Sequence, residues 1–455
     1  MSDFDRYTDV LGQLPFLKSY THLLLLFPVA DAAAEKHAVD ALKRAASHLT
    51  LAFPWLAGRV VNDGRTDTNS GVFRIVPGEP HSPIIRVRHF HRDEHPSFED
   101  IVAAKGPFDK LDRALLAPTC AFPETYSEPE APVVVFQANF VPGGLLLDFA
   151  AQHNTMDMTG MTQCLRLFAA AMRGEDVPPA ALEQGNRDRR CLIPLFEPGR
   201  PLLDHTHLQR PVQTGGKAPR SVSYTWKTLR FGPDKLAALK RQATEDLSRA
   251  RELDPEADGA DVDFVSTNDA LCAFMWQRVS AARLRAGVPP DTLSKFSRAI
   301  DGRRALGISQ EYMGHMIHTN MTRLALGSVA GRPLGLVAAD LRRNLVAGTS
   351  ADVVRSFATL IARTEDRSGI SFGATFDPDL DVACSSWAHS DVYGQVFGAL
   401  GCPELVRRPR FLPLRGTMYY LPARPDGTVD VLACLADDYF ADMVKDPAFE
   451  IVELI

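Results

Sequence analysis

A histidine followed four residues later by an aspartate is a minimal acid–base pairing, and the chain contains that spacing twice. One copy is His153 and Asp157 in AQHNTMDMTG; the other is His89 and Asp93 in RVRHFHRDEHPSFED. An imidazole is the side chain best suited to take a proton near neutral pH, but two occurrences in one chain show that the spacing alone decides nothing. His89 stands among His91, Arg92, Asp93, Glu94 and His95, with Pro96 next. That polar setting reads as a solvated surface segment without a function. His153 closes LLLDFAAQH, which reads as a buried strand, and precedes a helical stretch. Strand ends that feed helices are where α/β folds aim reactive groups into a cleft. Asp157 falls in the turn or at the first helical position, where a carboxylate suits the positive end of the helix dipole. A core histidine beside a capping Asp is the alternative that this local context leaves open.

The elements that must carry this pair follow from periodicity and punctuation. THLLLLFPV (21–29) predicts a strand. EKHAVDALKRAASHLTLAFPWLAGRV predicts a helix, with Val39, Leu42, Ala46 and Leu49 at helical spacing and Pro54 and Gly58 ending it. GVFRIV (71–76) predicts a short strand. PVVVFQANF (132–140) and LLLDFAAQH (145–153) flank Val141-Pro142-Gly143-Gly144 and predict a β-hairpin. Met161, Cys164, Leu165, Phe168 and Met172 form the apolar stripe of the next helix, closed by Gly174 and Pro178-Pro179. Residues 181–222, rich in Pro, Gly and charge, read as a crossover between domains. A strand VSYTWKTLRF, a helix PDKLAALKRQATEDL and a further helix from about Asn268 restart the pattern. The expectation is a domain over 1–180, a crossover over 181–222 and a second domain over 223–455, each an α/β (α+β) mixed sheet with helices.

Length and composition fit that reading. The chain has 455 residues, 45% hydrophobic and 23% charged, which suits two globular domains of ordinary size. Fifty basic and 56 acidic side chains leave a formal charge of −6, which argues against a general nucleic-acid partner. LLLLF (23–27) is too short to span a bilayer, and MSDFDRYTDVLG lacks the features of a signal peptide. Cys120, Cys164, Cys191, Cys272, Cys384, Cys402 and Cys434 are odd in number and form no CxxC, which reads as reduced core thiols rather than a disulfide framework or a metal site. A cytoplasmic protein acting on a small molecule, without nucleic acid or membrane as partner, is expected.

Three further segments extend the pattern. STNDALCAFMWQRV (266–279) opens a helix at Asn268-Asp269-Ala270-Leu271. AIDGRRALG (299–307) places Asp-Gly-Arg at a strand end. SSWAHSDVYGQVFGALGCPELVRRP (385–409) carries Ser-Ser-Trp, Phe-Gly and Arg-Arg-Pro. With His153 and Asp157, these stand in the order seen in BAHD acyltransferases, and the chain resembles the fungal branch of that family over most of its length. The resemblance implies two similar chloramphenicol-acetyltransferase-like domains with a channel between them. It also implies transfer of an acyl group, acetyl first among them, from acyl-CoA as co-substrate to a hydroxyl of a small molecule, with a monomer expected.

The chemistry implied needs few parts. A neutral imidazole takes the proton of an alcohol as its oxygen attacks the thioester, and the resulting oxyanion needs a donor. The resemblance makes His153 the base and Trp387 the donor, with Ser385 offering a second hydroxyl. It requires neither a metal nor a covalent acyl-enzyme. In the family the motif aspartate pairs with the arginine of Asp-Gly-Arg, which makes Asp157 and Arg303 a structural pair. Ser266 and Thr267, before a helix N-terminus, are candidates for the CoA phosphates, with Lys295 and Arg298 as added charge or as an ordinary strand face. The family's Asp-Phe-Gly is Val396-Phe397-Gly398 here, and its Tyr-Phe-Gly-Asn is Tyr312-Met313-Gly314-His315, which makes His315 a candidate channel residue or a packed imidazole. A condensation-type enzyme acting on carrier-bound acyl groups would have a doubled histidine where this chain has Gln152. A non-catalytic binding protein is disfavoured by the retained His153 and Ser386-Trp387 and weakly favoured by Val396.

Overall fold

In a computed structural model, residues 3–78, 84–122, 131–211, 222–253 and 261–455 are described. Two mixed sheets dominate. The first has five strands in the order Leu405–Arg407, Tyr20–Pro28, Gly144–Gln152, Val134–Val141 and Ile85–His89. All its pairings are antiparallel except the last, which is parallel. The second has seven strands in the order Glu453–Leu454, Tyr224–Phe231, Val429–Ala436, Thr417–Tyr420, Val382–Ser386, Leu293–Asp301 and Ile317–Ala325. The strand Val382–Ser386 runs parallel to both of its neighbours.

The central hairpin of the first sheet forms because its turn residues permit it. Val141 pairs with Gly144 across Pro142-Gly143, and Gly143 takes φ 82°, a left-handed conformation that a residue with a Cβ resists. Both strands are buried along their whole length, consistent with their nearly unbroken apolar sequence. The helices Ala32–Ala52 and Met158–Met172 cover one face. There Phe136 stacks between Phe149 and Phe168 at ring separations of 4.4 and 4.3 Å. Truncating a ring of this kind costs about 3–5 kcal/mol, so the strand that ends at His153 is firmly placed.

The second core packs the helices Pro233–Leu253, Thr267–Arg285 and Leu334–Gly348 on the seven-stranded sheet. The chain does not divide cleanly at the crossover. The strand Leu405–Arg407 crosses back to edge the first sheet, and Trp387, Val392, Tyr393, Phe397 and Val406 join the first core. In the crossover, the helix Pro179–Gly185 is followed by irregular chain in which Arg189 is buried; residues 212–221 of the crossover lie outside the described residues. All the cysteines are unpaired, but Cys120, Cys191 and Cys402 are exposed. Reading them all as core thiols is corrected for these three, which lie in irregular segments with no sheet or helix stripe to bury them.

Candidate active site

His153 directly follows the buried strand Gly144–Gln152, and its N–H donates to the Ser19 carbonyl at 2.8 Å. The turn that follows brings the Met156 carbonyl to 3.1 Å from Nδ1. A carbonyl can only accept, so Nδ1 carries the proton in this arrangement and Nε2 presents a lone pair. Among the described residues Nε2 has no hydrogen-bond partner. Burial lowers the pKa of His153 from its usual value and Arg408 adds to the shift, against the opposing hydrogen bond to Met156 and the charge of Asp157. The neutral form that can accept a proton therefore prevails at neutral pH.

Asp157 does not touch that imidazole. It is the N-cap of the helix Met158–Met172, in extended conformation, and Oδ1 accepts from the Gly160 N–H at 2.9 Å. Arg303 donates to Oδ2 at 2.8 Å and to Oδ1 at 2.9 Å, and the Met316 N–H donates to Oδ2 at 2.8 Å. These donors occupy the acceptor capacity of the carboxylate. Burial opposes its charge, but Arg303, its hydrogen bonds and His315 outweigh that and hold the carboxyl below the usual range.

Arg303 is fully buried and also donates to Asp301 and to the carbonyls of Tyr312 and Gly314. The pair thus pins the loop after Leu293–Asp301 against the helix that follows His153. The contact is close: a Cβ on Gly160 would lie 2.2 Å from the Met313 carbonyl oxygen.

His315 comes with that loop. Its ring centre is 5.1 Å from that of His153, at 67° between planes. It is fully buried, and neither ring nitrogen has a hydrogen-bond partner among the described residues. Burial first, and then the neighbouring His153, push its pKa down to about 3.

A second buried network braces the same turn, and sequence reasoning missed it. Arg189 donates to Asp9 and to the Thr155 carbonyl, each at 3.0 Å, while Tyr312 and the His315 N–H also donate to Asp9. Its partners lie up to 306 residues apart in sequence, so no local pattern announces it.

The Ser-Ser-Trp segment lies at the end of Val382–Ser386. The Trp387 indole N–H donates to Ser385 Oγ at 3.0 Å, and Ser386 Oγ donates to Asn268 Oδ1 at 2.8 Å. Both residues proposed to meet an oxyanion are thus joined to each other, so Trp387 reaches a substrate oxygen only by sharing or exchanging that bond.

The structure gathers His153, Asp157, Arg303 and His315, but not the four residues expected at the CoA phosphates. Ser266 caps the helix Thr267–Arg285 in a reciprocal capping box with Asp269, so its hydroxyl is engaged. Arg298 is 4% exposed and bonds Asp269 at 2.7 Å and the Leu341 carbonyl. Lys295 pairs with Asp381 at 3.1 Å. Neither cation is free for an anion, because each reaches a buried carboxylate that needs it. Thr267 instead lines a cleft of ≈ 560 Å³ with Lys240 and Arg241 of the preceding helix. Those two basic residues belong to KRQATEDL, which the sequence marked only as helix.

Comparison with known proteins identifies the family. Residues 99–449 match the transferase family model, and residues 19–172 match the trichothecene 3-O-acetyltransferase-like N-terminal domain. An O-acyltransferase of Monascus ruber is 44% identical over 98% of each chain. The trichothecene 3-O-acetyltransferase of Fusarium sporotrichioides is 34% identical over 96% of this chain and 94% of its own. The crystal structure of the F. graminearum enzyme with coenzyme A and T-2 mycotoxin superposes with a TM-score of 0.90, at 31% identity over 98% of both chains. The chain belongs to the transferase family, that of the BAHD acyltransferases, in its fungal trichothecene 3-O-acetyltransferase-like branch.

Proposed function

We propose that this chain transfers an acyl group, acetyl first among candidates, from coenzyme A to a hydroxyl of a small natural product, with His153 as general base. The observation that carries this reading is the His153 imidazole, held neutral by burial with Nδ1 engaged by Met156 and Nε2 left for a substrate. Nε2 takes the hydroxyl proton as the oxygen attacks the thioester carbonyl, and the C–S bond then breaks. The proton returns to the departing CoA thiolate, so the enzyme ends as it began. Trp387, with Ser385, is the oxyanion donor once the thioester oxygen competes for the indole N–H. Asp157 and Arg303 act by position, fixing the turn that aims the imidazole.

Thr267, Lys240 and Arg241 are the better site for the CoA phosphates, since they line an open cleft at a helix N-terminus. The relatives' activities, O-acyl and O-acetyl transfer, support the same reading. The test is release of CoA thiol from acetyl-CoA across a panel of hydroxylated terpenoids, polyketides and alkaloids. Acceptor-dependent release with an acetylated product by mass supports it; hydrolysis alone, or no release with any acceptor, overturns it.

A further inference from the structure

The Arg-Arg-Pro segment supplies no reacting group in the chemistry above, yet its second arginine lies deep in the molecule. Arg408 follows the edge strand Leu405–Arg407 and is only 4% exposed. Its guanidinium carbon lies 5.0 Å from the ring centre of Trp387, 4.2 Å from that of Tyr419 and 4.3 Å from that of Phe411. Aromatic faces hold the plane of the cation, and Tyr419 also meets it through a side-chain hydrogen bond. Nε and Nη1 are buried without a hydrogen-bond partner among the described residues.

Two neighbours share this condition. His22 Nδ1 pairs with Asp148 Oδ2 at 2.8 Å across adjacent strands, while His22 Nε2 and Asp148 Oδ1 are buried and unpartnered. Asp148 attracts Arg408, and Arg408 in turn acts on His153. Beside Trp387 there is thus a patch with unused donors on Arg408, next to an unused acceptor on Asp148. Leaving a buried charged donor unsatisfied is costly, so the patch is built to receive something.

Its chemistry narrows the choice. The carboxylate of Asp148 repels a phosphate, and Arg408 stands with the first sheet, whereas Lys240, Arg241 and Thr267 stand with the helices of the second. A neutral or singly charged oxygen suits a desolvated guanidinium beside a carboxylate. We propose that Arg408 is a specificity-determining residue, which takes a ketone or enolate oxygen of the acceptor other than the hydroxyl that reacts. The proposal rests on the acyl-transfer reading and adds an acceptor class to it: alcohols that also carry a carbonyl or acidic enol.

The test pairs each active hydroxyketone from the acceptor panel with its counterpart bearing CH2 in place of C=O, using acetyl-CoA and CoA-thiol release. The wild type should prefer the hydroxyketone by about 10²-fold in kcat/KM, because a buried donor without its partner penalises the analogue. Arg408→Met should bring that ratio near one, chiefly through KM for the hydroxyketone, and Arg408→Lys should fall between. A wild type indifferent to the carbonyl overturns the proposal, and this holds even where Arg408→Met fails to fold. An equal loss with both acceptors, ratio unchanged, also overturns it, since Arg408 would then act on the thioester. No CoA release with any alcohol refutes the acyl-transfer reading itself, and this proposal with it.

Discussion

The two His-x-x-x-Asp segments share a spacing and even a placement, since both histidines stand at the end of a strand of the same sheet. They differ in depth and in what the aspartate meets. His89 ends the edge strand Ile85–His89, with a side chain 56% exposed, stacked on Phe140 and ion-paired with Glu35 at 2.8 Å. The expectation of a solvated surface segment holds for His89, although it closes an edge strand: such a strand exposes one side and tolerates charge, so its sequence looks like loop. His153 ends a central strand, and its aspartate caps a long helix and binds a buried arginine 146 residues away. Asp93 is exposed in a turn. A motif of two residues becomes a site only when its second member is fastened to a distant part of the chain.

The sharpest way to break this comparison is to remove each histidine. His153→Ala should lower kcat by ~10²–10⁴ with an unchanged melting temperature, the usual worth of a general base. Near wild-type turnover by the folded variant would remove His153 from the mechanism.

A middle-sized effect concerns pH. His315, with a folded pKa of about 3 against 6.5 in the open chain, binds a proton only after unfolding in that interval. The unfolded state then holds more protons, so stability falls as pH falls from 6.5 towards 3. His315→Asn should flatten that dependence of the melting temperature relative to wild type. Identical slopes would mean that the imidazole is not held neutral by burial. The smallest effect is that of His89→Ala, which should leave turnover within about tenfold, a change of ~1.4 kcal/mol in activation free energy. A larger loss without a loss of stability would reverse the choice between the two segments.

What the sequence disclosed follows the same division. The hairpin, the strand before His153 and the helix after it were legible because each obeys a local period or turn preference. The Asp157–Arg303 expectation came from the resemblance and not from spacing. Lys295 and Arg298 misled because a strand pattern does not show which charged side chains turn inward to carboxylates such as Asp381 and Asp269. Arg408 and Arg189 were illegible as buried cations, since their partners come from remote strands and loops. Lys240 and Arg241 looked like any solvated helix face, and only the folded neighbour Thr267 makes them part of a cleft.

The central claim is that Asp157 works through Arg303 to aim the base, and never through the imidazole. Breaking one side of such a buried pair costs about 3–5 kcal/mol, because the other charge is left uncompensated. The most direct measurement is a double-mutant cycle of Asp157→Asn and Arg303→Ala, each variant followed by thermal melt and by CoA release. Each single change should lower melting temperature and turnover together, and the double variant should lose less than their sum, because the second change removes an already stranded charge. Strict additivity, with Asp157→Asn cutting turnover at an unchanged melting temperature, would contradict the account and make Asp157 a direct partner of His153.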